Sequence, residues 1–475
     1  MEKFDVIVIG GGAGGLAAAR AAKRFGCRVA LVEKNQLGGE CTWTGCVPTK
    51  SLMRIAQVAH EAKEFSCYGL RAQQRITWDA SGVFNHIKQV IQKTAQTHTP
   101  EALRAEGIEV FFGSPRFIDR SSIALGHSAL SAKRFILATG SRPAIPPIRG
   151  IDEVPYLTNR TFFEQDTLPS SVIILGGGPI GCEFAPMLSK LGVKVTLVEA
   201  NQRLLNNDDP ELVGLLTERF TSLGIAVHAG LKISQVAQNG EQVVLTGATA
   251  TGESRTLTAD KLLIAAGRKP NLEGLGLEAA GVKTTPTGVV ADKYLCTSVD
   301  TIYACGDIVG PYLYSHVAWR QAEVAVRNAT HSWWRTKVNY DDVLWITFAD
   351  EELVRVGMLE DEARKKYGKI EVIRIPYSSI DRGRMDCATY GLGKFITKRD
   401  GTIVGASIIG PRAGELIHEI QMARVAGLKL YELARVMHAY PAYNDLLLKA
   451  AREAYRLRLE QSSWARWRHR WFGSF

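Results

Sequence analysis

Hydrophobic runs and glycine clusters alternate along the first half of the chain in an order that occurs twice. Val6 to Ile9 is a short apolar run that predicts a strand. Gly10-Gly11-Gly12-Ala13-Gly14-Gly15 follows, then an alanine-rich helix to about Phe25, then a strand from Arg28 to Val32 that ends in Glu33. The order returns with the strand Val172 to Leu175, the glycines Gly176, Gly178 and Gly181, a helix, and the strand Lys194 to Val198 that ends in Glu199. In both copies the acid stands 23 residues after the first glycine (10 to 33, 176 to 199). In the first copy Gly10 permits the turn, Gly12 lets the backbone approach a pyrophosphate, and Gly15 lets helix and strand pack closely. The phosphates would rest on the helix amino terminus, and the terminal acid would accept from a ribose hydroxyl. Two such units in one chain imply two dinucleotides.

From about Val338 the pattern changes to short strands (Leu353 to Gly357, Ile370 to Ile375, Gly393 to Thr397, Ile403 to Ile409) interleaved with helices. Ala138-Thr139-Gly140-Ser141 closes a strand, and the proline-rich stretch Arg142 to Pro147 marks a boundary near residue 150. Ala266-Gly267-Arg268-Lys269-Pro270-Asn271 makes the matching exit from the second unit. A chain of 475 residues is too long for one core. No run of eighteen apolar residues suggests a membrane span, and Met1 leads directly into a strand, so a cytoplasmic location is expected. The eight cysteines are few and scattered, which argues against an extracellular disulfide scaffold. Cys27, Cys67, Cys182, Cys296, Cys305 and Cys387 read as small core residues. A net charge of +10 is partly concentrated at the carboxyl end.

Gly38 to Lys50, reading Gly-Gly-Glu-Cys-Thr-Trp-Thr-Gly-Cys-Val-Pro-Thr-Lys, carries the candidate chemistry. Cys41 and Cys46 can close a small disulfide ring, because Gly45 and Pro48 allow the tight backbone path this needs. Thr49 to His60 reads as a helix, which places Cys46 near a helix start. There the dipole favours a thiolate, the setting of a reactive dithiol.

This motif resembles the redox-active centre of the FAD-dependent pyridine nucleotide–disulfide oxidoreductases, the family of dihydrolipoamide dehydrogenase, glutathione reductase and mercuric reductase. The resemblance covers nearly the whole chain except its last fifteen or so residues. It implies an α/β fold with two Rossmann-like dinucleotide-binding domains, for FAD and NAD(P), and an α+β carboxyl-terminal dimerisation domain. The expected boundaries are 1–150 with 270–337 for FAD, 151–269 for NAD(P), 338–460 for dimerisation, and 461–475 for a basic tryptophan-rich tail. The resemblance assigns FAD to Gly10, Gly12, Gly15, Glu33, Thr139 and Gly140. Asp307, in Thr-Ile-Tyr-Ala-Cys-Gly-Asp, matches the acid that binds the ribityl chain, and Gly113 and His316 resemble other flavin-contacting positions. NAD(P) falls to Gly176, Gly178, Gly181, Glu199 and Gly267. A carboxylate at Glu199 favours NADH over NADPH, although Arg203 follows closely. Cys46 is then the thiol facing the flavin and Cys41 the interchange thiol. Lys50 matches the lysine beside the flavin, and Glu183 its carboxylate partner. A homodimer is implied, and neither a metal site nor a nucleic-acid partner.

One departure lies at the acid–base position, where the dihydrolipoamide and glutathione enzymes carry His before Pro. Here His438-Ala439-Tyr440-Pro441 puts Tyr440 in that place and Asp445 in the place of the supporting glutamate. Tyrosine, with a pKa near 10, is a poor base at neutral pH. Mercuric reductases also lack that histidine, but they end in a vicinal cysteine pair that this chain does not have. The leading expectation is electron transfer from NADH through FAD and the Cys41–Cys46 pair to a small or protein-bound disulfide. A metal ion or quinone as acceptor is the first alternative, and a slow redox sensor the second. From Arg456 onward the chain holds five arginines against Glu460. Trp464, Trp467 and Trp471 share one helical face there, which suggests peripheral membrane contact through 463–473.

Overall fold

The structure is a computed structural model that describes residues 2–63, 68–71, 78–331, 333–461, 467, 469 and 470. Its first sheet grows around Glu2–Ile9, which lies parallel between Val29–Glu33 and Ser128–Leu137. Val6 to Ile9 are at most 1% exposed, as expected for a parallel sheet covered on both faces. Ile108–Phe112 extends one side. On the other, Ile302–Ala304 pairs with Ser128–Leu137, so this sheet is completed by a strand that follows the whole second sheet in sequence.

The second sheet is also parallel, in the order Ala226–Ala229, Lys194–Glu199, Ser171–Leu175, Lys261–Ile264 and Tyr156–Leu157. An antiparallel meander, Leu231–Asn239, Gln242–Thr249 and Ser254–Ala259, packs beside it. The carboxyl-terminal sheet is antiparallel throughout, in the order Leu344–Thr347, Glu352–Gly357, Ile403–Gly410, Leu392–Lys398 and Ile370–Pro376. Its edge strand Leu344–Thr347 is absent from the sequence reading. Four residues are too few to show an alternation.

Buried ions join the second unit to the third. Lys394 reaches Asp209 at 2.8 Å, Glu211 at 3.0 Å and Glu360 at 3.1 Å, while Asp350 pairs with both Lys190 and Arg219. The helix expected from Thr49 begins at Cys46 and runs to Glu61, and a short helix, Gly39–Trp43, precedes it. Cys182, Cys296 and Cys305 are buried as expected, but Cys27 is only half-buried and Cys387 is exposed. Cys387 sits in a turn with φ +52° and presents its thiol to solvent. Cys67 lies outside the described residues. So does the 463–473 tail apart from Trp467, His469 and Arg470. The ring of His469 bonds the Tyr455 hydroxyl at 3.1 Å on the helix Asp445–Gln461. No helix among the described residues is long and apolar enough to cross a membrane.

Candidate active site

The two glycine loops are built alike. Gly10 (φ +104°) and Gly176 (φ +117°) make the turn, and their amides donate to Val32 and Val198 at 2.8 Å. A β-carbon on Gly15 would lie 1.7 Å from the Gly10 carbonyl oxygen, and one on Gly181 1.9 Å from that of Gly176. These third glycines are therefore packing positions behind the loops. Glu33 accepts from the Gly11 amide at 2.6 Å, and Glu199 from the Gly177 amide at 2.6 Å. Each carboxylate thus ties its strand end to its glycine loop. The second oxygen of Glu199 accepts from the backbone and side chain of Asn201 at 2.8 and 2.7 Å. Arg203 is turned onto the Asn206 carbonyl at 2.7 Å.

One cavity of about 2050 Å³ joins both loops. That is about twice the upper end of an ordinary small-ligand site, room enough for two large ligands. Its walls hold Gly10, Gly12, Glu33, Thr139, Gly140 and Asp307 on one side, and Gly176, Gly178, Glu199 and Gly267 on the other. Gly178 and Gly267 have open space where a side chain would stand, so the second loop fits a dinucleotide laid against its backbone. Gly113 stands outside the cavity wall, where its amide donates to Glu33 O at 2.9 Å. His316 lines the wall, with Nε2 on the Leu344 carbonyl at 2.8 Å, and burial lowers its pKa.

The dithiol segment spans the middle of this cavity. Gly38 and Gly39 take left-handed φ values, and a β-carbon on Gly39 would meet Gly12 Cα at 2.7 Å, so the segment lies directly on the first glycine loop. Gly45 makes the bend between the cysteines, where a β-carbon would stand 2.9 Å from the Glu40 carbonyl. Both cysteines are free thiols here. The Cys46 thiol is pushed down to about 6, chiefly because the Cys41 thiol donates to it, with the Lys50 ammonium and the Ser315 hydroxyl (3.9 Å) helping against burial. The same hydrogen bond raises Cys41. The pair thus holds one proton and one negative charge near neutral pH.

Lys50 Nζ lies 2.7 Å from Glu183 Oε2, and the other Glu183 oxygen accepts from the Phe348 amide at 3.1 Å. The ammonium also sits 4.5 Å over the Phe348 ring. Because the lysine and Cys46 share the helix Cys46–Glu61, the cation is carried four residues from the thiolate it favours.

Several functional groups escaped the sequence reading. Glu40, next to Cys41, is clamped by Arg160 and Arg268. Arg268 also donates to Ser141 at 2.7 Å, and Ser141 donates to Asp307 at 2.5 Å. This chain of contacts joins segments far apart in sequence, and no local spacing announces it. Ser315, 269 residues from Cys46 in sequence, escaped for the same reason.

Tyr440 does not line the cavity of its own chain. It is 70% exposed, and its hydroxyl donates to Asp381 at 3.0 Å, which raises its pKa. His438, its neighbour in sequence, has Nδ1 on Val436 O and Nε2 on Glu419 Oε1, both at 2.9 Å.

Comparison with known proteins agrees with this geometry. The family model "Pyridine nucleotide-disulphide oxidoreductase" matches residues 4–329, and the model of that family's dimerisation domain matches 343–451. A mercuric reductase of Staphylococcus aureus is 30% identical over 451 residues, covering 94% of this chain and 82% of that one. A dihydrolipoyl dehydrogenase of Thermus scotoductus is 31% identical over 458 residues, covering 95% and 97%. Among solved structures, the Cu(II) complex of the HOCl-induced flavoprotein disulfide reductase RclA from Escherichia coli superimposes with a TM-score of 0.86. It is 26% identical, over 95% of this chain and all of that one.

Proposed function

Since the chain belongs to the pyridine nucleotide–disulphide oxidoreductase family, we propose that it is an NADH-driven reductase whose Cys41–Cys46 pair delivers electrons to a soft metal ion in preference to a disulfide. The family is FAD-dependent with NAD(P)H as donor. Bound FAD supplies a ring that accepts hydride from a nicotinamide and passes the electron pair to a disulfide. The first glycine loop, Glu33 and Asp307 would hold FAD, and the second loop with Glu199 would hold NADH. Lys50, paired to Glu183, places a fixed cation beside Cys46, where negative charge accumulates on reduction. The resemblance makes Cys41 the thiol that meets an acceptor and Cys46 the one that faces the flavin, although Cys46 is the more exposed of the two within the cavity.

The observation that carries the choice of acceptor lies at Tyr440 and His438. Releasing a dithiol product requires a group that gives and takes a proton near pH 7. The Tyr440 hydroxyl is held on Asp381 with its pKa raised, and both ring nitrogens of His438 are already bonded to Val436 O and Glu419, so neither side chain has a ring or hydroxyl atom free for a substrate thiol. A thiophilic metal ion needs no such proton. Oxidation of the thiol–thiolate pair to a disulfide releases one proton and two electrons, enough for one mercuric or two cupric ions. In a homodimer the exposed face around Met422, Val425, Met437 and Tyr440 would meet the second copy.

The test is steady-state NADH oxidation by the FAD-loaded protein with Cu(II), Hg(II), lipoamide and small disulfides. Metal-dependent turnover that vanishes in Cys41→Ser is expected, with lipoamide slow. Tyr440→His should raise lipoamide turnover at least tenfold. Faster turnover of lipoamide than of either metal ion by the unaltered protein overturns the metal assignment.

A further inference from the structure

We propose that a basic aromatic surface at the far end of the first unit docks this protein onto an anionic lipid bilayer. Two helices that pack against each other set its position, Ala13–Arg24 and Ser315–Thr330. Both start at the cavity, since Ala13 and Ser315 line it. At 1.5 Å per residue they carry the chain about 18 and 24 Å away before they end. Their carboxyl ends emerge side by side, with Phe25 against His331 at 4.9 Å between ring centroids.

Beyond these ends the chain displays large apolar rings to solvent. Trp333 is 80% exposed, Trp334 63% and Phe25 46%. The two tryptophan rings lie 6.0 Å apart. Around them stand Lys23, Arg24, Lys293, Arg327, Arg335 and Lys337, all exposed. The Arg327 guanidinium lies 6.0 Å from the Trp334 ring, and Arg335 and Lys293 approach Tyr294 at 5.7 and 5.5 Å. Among the described residues none of these six cations has a carboxylate within ion-pair distance, whereas neighbouring Arg20, Arg28 and Lys133 each have one. The nearest acid in sequence, Asp292, is turned onto the amides of Tyr294 and Cys296 at 2.9 and 3.0 Å.

This combination selects a lipid surface by charge complementarity. Tryptophan seeks the headgroup layer, because its ring is apolar and its N–H is polar, and unpaired cations around it are drawn to anionic headgroups. A protein partner is less well matched, since isolated cations around a flat, protruding tryptophan pair offer no pocket. Docking here would leave the cavity mouth, at the opposite end of both helices, open to soluble ligands. The site is independent of the acceptor assignment and of the 463–473 tail.

The experiment is co-sedimentation of the full FAD-loaded chain with vesicles of phosphatidylcholine alone or with three parts in ten phosphatidylserine. Binding is expected only to the serine-containing vesicles, and it should weaken as salt rises. Trp333→Ser with Trp334→Ser should lower it at least tenfold, and Arg335→Gln with Lys337→Gln should flatten the salt dependence. A chain ending at Glu460 should bind as the full chain does. Bound flavin absorbance reports that each variant is folded. Equal binding by the variants, no binding at all, or loss confined to the shortened chain overturns the proposal. So does binding of a single-stranded oligonucleotide that matches binding to the vesicles.

Discussion

Replacing Cys41 with alanine in the reduced protein removes the contact that does most to hold the Cys46 thiolate. Cys46 lies near 6, and the causes rank as the Cys41 thiol first, then Lys50, then Ser315, with burial opposing all three. At pH 7 a midpoint of 6 leaves about nine-tenths of the group as thiolate, whereas an ordinary thiol near 8.5 leaves about 3%. The variant keeps the burial and loses the leading donor, so its midpoint should rise above about 8 and the thiolate at pH 7 should fall roughly tenfold. The measurement is the pH dependence of iodoacetamide labelling, read by mass spectrometry on the Cys46 peptide so that exposed Cys387 does not interfere. A midpoint that stays within about half a unit of 6 would show that Lys50 and Ser315 suffice, and the hydrogen-bonded pair would lose its role. Stability carries the same signature. The folded pKa lies below the unfolded one, so the reduced protein gains stability from this thiolate fully above about pH 8.5 and loses it as pH falls through about 6. The variant should lack that slope.

Gly181→Ala forces a β-carbon to within 1.9 Å of the Gly176 carbonyl, so the helix must lift from its strand. A cost of about 1–3 kcal/mol and a KM for NADH raised at least tenfold are expected, by thermal melting and kinetics. Glu183→Gln leaves Lys50 without its anion. With a third of that lysine open to solvent, about 1–2 kcal/mol should be lost, and an unchanged melting temperature would contradict the pairing. Glu199→Ala removes the carboxylate that would repel a 2′-phosphate and should raise the NADPH-to-NADH ratio of kcat/KM at least tenfold; an unmoved ratio would assign coenzyme choice elsewhere.

The two glycine units were legible because their constraints are local. Turn, helix start and terminal acid all lie within about two dozen residues, and the structure adds the reason for the third glycine, a carbonyl that leaves no space for a methyl group. The Cys41–Cys46 segment was legible for the same reason, although its helix starts at Cys46 rather than after the proline. Proline at the third helical position needs no amide partner, so it opens the helix instead of delaying it. What escaped the reading depends on long-range closure. Glu40, Arg160, Arg268 and Ser141 come from segments far apart in sequence and meet only in the fold, where Asp307, itself legible from its motif, joins them. Gly113 takes a φ of +142° at a strand end beside Leu125.

The lysine and carboxylate knots between the second and third units bear on how a coenzyme could arrive. Lys394 is almost sealed from water among three acids, and the Glu360 carboxyl it meets is held down at about 2. Swinging the nucleotide unit outward would break the ion pairs of Lys394 and of Asp350 together, so a hinged opening along that seam is disfavoured. A coenzyme route that leaves this seam closed is therefore favoured, and strong acid, by discharging Glu360, would loosen the hinge.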